Sequence, residues 1–311
     1  PWDRSEINGL RCIKYVETSV VNDTLAGVIE LPFRDFANEA PVSDETFQLF
    51  LNQFRYDPTP LNAVVNERFE DEFYFRETVA YDAAYGGETI LAYLFLPKNT
   101  EPPYQAVVFY PGSNGFHDSS SAGMGLGRSD FIPKSGRAFL FPIYKSTYER
   151  GDGMTSDLPD ETVNWKEHVI MWGKDLRRSV DYLESREDID NDGLAYLGQS
   201  WGAAMGSIMM AIEPRFKAGV VEVAGLNFQR ALPEVDQIHY LRRIEIPVLM
   251  LNGKYDFFFP YETSQVPFFE LMKTPLEHKK LVLHEAGHYF TRTKYARETL
   301  AWLDRYLGEV R

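Results

Sequence analysis

Cysteine is all but missing. Cys12 is the single one in 311 residues, so no intrachain disulfide can form and a disulfide-stapled secreted scaffold is excluded. Positive charge is also in short supply. The chain carries 32 Lys and Arg against 46 Asp and Glu, a formal net charge of −14. A nucleic-acid partner needs a basic surface that displaces counterions from phosphates, so none is expected. No apolar run approaches the roughly 20 residues of a membrane-spanning helix, so membrane insertion is not expected either. Internal repeats and low-complexity stretches are lacking. The opening Pro1-Trp2-Asp3-Arg4 carries neither a starting methionine nor a signal-peptide pattern. The expectation is a cytoplasmic chain cut or processed from a longer one. Apolar residues are plentiful: 44% hydrophobic and 14% aromatic, which suits one large α/β domain with an extension.

The most informative pattern is Gly198-Gln199-Ser200-Trp201-Gly202. It reads G-x-S-x-G, with an apolar strand-like run before it (Leu194 to Leu197) and a helix-like run after it (Ala203 to Ile212). A serine on so sharp a turn needs strained backbone angles and small neighbours, which Gly198, Gly202 and Ala203 supply. The turn lifts the Ser200 hydroxyl above the sheet. It also leaves the Trp201 N–H at a helix start, aimed at a developing negative charge.

An elbow serine needs a base, and the base an orienting carboxylate. The strand-like run Ile246 to Leu251 leads into Asn252-Gly253-Lys254-Tyr255-Asp256, so Asp256 lies just past a strand end. The run Lys280 to His284 leads into Glu285-Ala286-Gly287-His288, which places His288 likewise. Asp236 also falls between Ser200 and His288, but it follows no strand and ranks far lower. His284 competes with His288, but its side chain belongs to the strand. The second oxyanion donor is expected from Pro111-Gly112-Ser113-Asn114-Gly115, which follows the strand 105–110. The Ser113 N–H is the first choice and that of Asn114 the next.

Along the chain, residues 1–65 read as an extension or linker. It holds one helix, N-capped by Ser43 and carrying Phe47, Phe50, Leu51 and Phe54 at helical spacing. Residues 66–311 read as the catalytic domain. Two strands, Phe73 to Tyr81 and Thr89 to Leu96, form an antiparallel hairpin. Strands at 105–110, 138–143, 194–199, 218–224, 247–252 and 279–284 then alternate with helices near 119–135, 164–185, 201–213, 261–272 and 293–308. The expected class is α/β: a mostly parallel central sheet with an antiparallel N-terminal hairpin, helices on both faces and small cap or lid insertions. Asn114, Tyr144 and Phe228 are the candidate substrate-binding residues. Tyr144 opens the segment Tyr144 to Arg150 past a strand end. Phe228 belongs to residues 226–243, where a cap is expected, with Asn227, Gln229 and Arg230. Phe257, Phe258 and Phe259 read as core packing behind the acid loop. Gly123, Gly125 and Gly127 read as a flexible loop over the site, and the acidic Asp188 to Gly193 as a turn into a strand rather than a calcium loop. No metal or cofactor is implied.

These residues resemble the α/β-hydrolase superfamily over about residues 67–310, on its dienelactone-hydrolase-like and prolyl-oligopeptidase-like side. The carriers are Tyr110-Pro111-Gly112-Ser113, the Gly198–Gly202 elbow, Asn252 to Asp256 and Ala286-Gly287-His288. The resemblance implies a Ser200 nucleophile, a His288 base and an Asp256 orienter. It departs from typical dienelactone hydrolases, whose nucleophile is cysteine, and it includes no propeller domain. Thr78 to Lys98 and Tyr104 to Gly115 are similar to the C-terminal hydrolase modules of multidomain bacterial serine/threonine kinase-like proteins. Pro1 to Cys12 resembles the closing segment of formylglycine-generating-enzyme-like domains, which implies fusion to further domains. The leading expectation is a serine esterase that works on a small-molecule ester through a Ser-His-Asp triad and an acyl-enzyme. An amidase or peptidase of the prolyl-oligopeptidase-like type is the alternative, as is a non-catalytic regulatory module that keeps the fold.

Overall fold

A computed structural model describes residues 34–122, 126–154 and 156–310. The resemblance at residues 1–15, and Gly123 and Gly125 of the glycine loop, lie outside them. Nine strands form one sheet: β1 (Val64–Glu70), β2 (Tyr74–Asp82), β3 (Thr89–Pro97), β4 (Tyr104–Tyr110), β5 (Ala138–Pro142), β6 (Ile189–Gln199), β7 (Ala218–Glu222), β8 (Val248–Gly253) and β9 (Lys279–His284). Their spatial order is β1-β2-β3-β5-β4-β6-β7-β8-β9. The β1–β2, β2–β3 and β3–β5 pairs are antiparallel, and every pair from β5 to β9 is parallel.

The parallel strands are apolar on both faces because helices cover both. Along β4, Ala106, Val108 and Tyr110 join one apolar cluster, while Val107 and Phe109 join the other. Along β6, Leu194 and Tyr196 part in the same way from Ala195 and Leu197. The first face is covered by α1 (Asp44–Gln53), α3 (Val163–Glu184), α4 (Trp201–Ile212), α5 (Gln237–Leu241) and α6 (Val266–Leu271). The second is covered by α2 (Phe131–Lys134) and α7 (Arg292–Leu307). This is the α/β-hydrolase architecture the sequence leads one to expect. Among the described residues, no helix is long and apolar enough to cross a membrane.

Helix α1 starts where the Ser43 hydroxyl accepts the Thr46 N–H. It buries Phe47 and Phe50, and Phe47 meets Tyr240 of α5 edge-on at 5.1 Å between ring centroids. Arg34 pairs with Asp236, the N-cap of α5. Residues 34–54 are thus packed onto the α/β body. Asp236 is occupied as cap and ion-pair partner, away from the catalytic histidine candidate.

Two local expectations need correction, and one strand was not expected. The helix near 119–135 is reduced to the four residues of α2 and a short 3-10 turn at Gly127–Ser129. Ser120 Oγ accepts the Ala122 N–H, a local bond that competes with helix, and Ser120 and Ser121 donate to the distant Glu149 carboxylate. Strand β7 stops at Glu222, because Val223 turns the chain with φ 55°. Strand β1 starts at Val64 and is exposed along its whole length, so no alternation of apolar residues marks it.

Candidate active site

Strand β6 ends at Gln199 and α4 begins at Trp201, which leaves Ser200 as the whole connection. Its backbone sits at φ 51°, ψ −110°, a region that costs a side-chain-bearing residue about 1–3 kcal/mol and persists only where its surroundings enforce it. Three 2.9 Å hydrogen bonds do so: Ser200 N–H to Glu222 O, Gly202 N–H to Pro111 O, and Ala204 N–H to Ser200 O. The glycines make the space. A Cβ on Gly198 would lie 2.4 Å from the Gly202 carbonyl oxygen, and one on Gly202 would lie 2.2 Å from that of Tyr110.

Asp256 follows β8 and is buried. Its Oδ1 accepts the Phe258 and Phe259 N–H groups at 2.9 and 3.3 Å. Its Oδ2 lies 2.7 Å from His288 Nδ1. An ionised carboxylate only accepts, so a neutral imidazole paired with one at Nδ1 holds its proton there and presents a lone pair at Nε2. That Nε2 lies 2.9 Å from Ser200 Oγ. The acid and histidine loops are laced together by hydrogen bonds from Lys254 N–H to His284 O and from Tyr255 N–H to Ala286 O. They approach so closely that a Cβ on Gly253 would sit 1.7 Å from the Gly287 oxygen. Gly253 is therefore as much a part of the site's construction as the elbow glycines.

Past β4, Gly112 leads into a 3-10 turn at Ser113–Phe116. A Cβ on Gly112 would lie 3.6 Å from Ser200 Cβ, so this turn sits against the serine. Ser113 heads that turn and Trp201 heads α4, positions whose N–H groups have no intrahelical acceptor. The Trp201 ring points inward and is buried against Tyr110, Phe116 and Trp172.

A chamber of about 400 Å³ opens over Ser200 and His288, with Ser113, Asn114, Asn227 and Phe258 among its walls. Asn114 is therefore where a substrate contact was expected. Tyr144 is not: it is fully buried, stacks on Tyr110 at 4.1 Å and donates its hydroxyl to the Phe109 carbonyl. Phe228 is half-exposed and is not a wall of the chamber, although its neighbour Asn227 is. The phenylalanine run behaves differently from its expected core role. Phe257 and Phe258 are 74% and 60% exposed, and only Phe259, at 6%, is interior. The Phe258 ring meets His288 edge-on at 4.8 Å, and Tyr289 meets it from another side at 4.7 Å. His284 lies apart from the serine and packs at 4.1 Å on Phe290.

A second cavity, about 250 Å³, shares Asn114 and Tyr289 as walls with the chamber and flanks the serine turn through Gln199, with Arg128 among its other walls. Sequence reading missed it, since Arg128 sits in the stretch expected to be helix. Beneath it lies Glu222, fully buried, with Arg128 Nη2 at 2.7 Å and Gln199 Nε2 at 2.9 Å. Burial pushes the Glu222 carboxyl above the usual range, against the pull of the Arg128 guanidinium. Among the described residues, no group of three or more His, Cys, Asp or Glu is placed to hold a metal ion.

Residues 154–310 match the PETase family, described as PET hydrolase-like. The chain belongs to the PET hydrolase-like family. Among curated relatives, YtaP of Bacillus subtilis (strain 168) is 27% identical over 175 residues, 53% of this chain and 58% of its own length. The chain thus spans little more than half of that relative. Among solved structures, an acetyl xylan esterase from Paenibacillus sp. R4 superposes with TM-score 0.63 at 18% identity, covering 85% of this chain and 93% of that one. Acetyl xylan esterase 1 from Thermoanaerobacterium sp. JW/SL YS485 gives 0.66 at 16% identity, covering 86% and 95%. At such identities the structural likeness speaks for the fold.

Proposed function

We propose that this PET hydrolase-like chain is a serine esterase working through a Ser200–His288–Asp256 triad and an acyl-enzyme. The observation that carries this reading is the continuous line from Asp256 Oδ2 to His288 Nδ1, 2.7 Å, and from His288 Nε2 to Ser200 Oγ, 2.9 Å. As Ser200 Oγ bonds to the ester carbon, its proton passes to Nε2 and the carbonyl electrons move to oxygen. The Ser113 and Trp201 N–H groups are the proposed donors to that oxyanion, each worth roughly a hundred- to a thousand-fold in rate. The C–O bond then breaks, and His288 returns the proton to the leaving alcohol. Water repeats the sequence on the acyl-enzyme and frees the acid. Asp256 holds the imidazole in the required tautomer and balances its transient charge. The proposal includes fusion to further domains, which the resemblance of Pro1 to Cys12 implies and that of Thr78 to Lys98 and Tyr104 to Gly115 to the modules of multidomain proteins accompanies.

The test is hydrolysis of short-chain esters by the wild type and Ser200→Ala. Loss of at least about a thousandfold in kcat with unchanged circular dichroism is expected, since removing a triad member leaves only binding and oxyanion stabilisation. Full activity in Ser200→Ala contradicts the proposal.

A further inference from the structure

We propose that the cavity beside the serine turn is the acyl subsite, and that Arg128 selects acyl chains bearing a neutral hydrogen-bond acceptor a few atoms from the ester carbon. This rests on the serine esterase reading above. His288 must protonate the departing alcohol, so the alcohol part belongs in the chamber that His288 lines. The second cavity is lined by Gln199, which precedes Ser200, and by Pro111 and Asn114 around the turn packed against that serine, but not by His288. It is the space left for the other half of the ester.

The walls say what that half is. Phe109 and Phe141 give apolar surface, and Arg128 gives the cation. The guanidinium is fixed rather than free. Its Nη2 donates to Glu222 Oε1 at 2.7 Å and to the Phe290 carbonyl at 2.8 Å, and it lies over the Tyr289 ring at 5.5 Å. Arg128 Nε is buried and out of a ligand's reach, but the side chain as a whole is 30% accessible and both of its hydrogen bonds come from Nη2, which leaves Nη1 to donate into the cavity. A ligand oxygen there gains a charge-assisted hydrogen bond. Glu222 already neutralises the arginine, so the site is electroneutral. A free carboxylate there would crowd two negative charges onto one guanidinium, whereas a ketone, ester or hydroxyl oxygen adds none. A volume of about 250 Å³ holds a short chain and not a polymer segment.

The experiment follows four methyl esters with one leaving group by pH-stat: methyl acetate, methyl pentanoate, methyl 4-oxopentanoate and monomethyl succinate; the 4-oxo ester is compared with the pentanoate and the succinate. For the wild type, kcat/KM for the 4-oxo ester is expected to exceed both others by about tenfold, the scale of one hydrogen bond to a charged donor. In Arg128→Met the 4-oxo to pentanoate ratio falls to about one. Because the ratio is taken within one sample, partial unfolding cancels. In Leu126→Trp, which fills the cavity from its rim, the pentanoate to acetate ratio drops several-fold. A wild type indifferent to the 4-oxo group, or a preference that survives Arg128→Met, overturns the proposal, as does an unchanged chain-length ratio in Leu126→Trp. Phosphonylation of Ser200 in the same preparation separates the two levels. If Ser200 labels and the ratios fail, the acyl subsite is wrong and the triad stands; if Ser200 does not label, both fall.

Discussion

Two segments leave the same edge of the sheet, and each turned out opposite to its sequence. Tyr144 to Arg150, after β5, is rich in charge and hydroxyls and looked like a substrate-facing loop. Phe257 to Phe259, after β8, is purely aromatic and looked like core. Yet Arg150 is tied to the fully buried Asp175, which also accepts the Lys145 N–H at 2.9 Å and the Tyr85 hydroxyl at 2.8 Å. Lys145 reaches Glu88 at 2.8 Å. The polar loop is thus mainly an interior ion network that gives only Tyr148 to the cavity beside Asn114, while Phe257 and Phe258 stand exposed and Phe258 walls the chamber. Residue type sets what burial costs, but partners decide whether that cost is met. Charges go inside when every one is paired, and rings stay outside when they border a site.

The comparison breaks most visibly at Asp175. Replacing it with alanine leaves Arg150 with only the part-exposed Glu88, at 3.1 Å, as counter-charge, and about 3 kcal/mol of stability should be lost, read from urea unfolding. A loss under 1 kcal/mol would mean the network is not what holds this loop. Phe258→Ala should do the reverse. Stability stays within about 0.5 kcal/mol, as for other exposed positions, while KM for aryl esters rises several-fold because the ring beside His288 is gone. A stability loss without a kinetic effect would return Phe258 to the core. The smallest effect is a pH dependence. Burial pushes Glu88 up, but hydrogen bonds from Lys145 and Arg150 outweigh it and hold its carboxyl below the usual range. Its folded value therefore lies below its unfolded one, so its contribution is present above the ordinary glutamate value, about 4.3, and is lost as pH falls through the folded value. The stability gap between wild type and Glu88→Gln should accordingly narrow in acid and hold constant from pH 5 to 7.

The sheet was legible because its parallel strands are short apolar runs separated by helical periodicity, as at Ala106 to Tyr110 and Leu194 to Leu197. Ser200, Asp256 and His288 were legible for a local reason: each directly follows such a run, and close packing demands the small residues nearby. Gly253 was in view but unexplained, since its purpose is the approach of the Gly287 carbonyl. Tyr144, Phe258 and Arg128 were misread or missed for the opposite reason. Their roles depend on partners distant in sequence, namely Tyr110, His288 and Glu222. The five-residue α5 was too short to show a period, and β1 is exposed throughout.

The most direct measurement is mass-spectrometric mapping of a fluorophosphonate adduct on the wild type and on His288→Ala. A hydrogen-bonded Ser200–His288 pair predicts one modified residue, Ser200, labelled within minutes in the wild type and at least about a hundredfold more slowly without the imidazole. A folded protein that stays unlabelled, or that labels equally fast without His288, contradicts the triad.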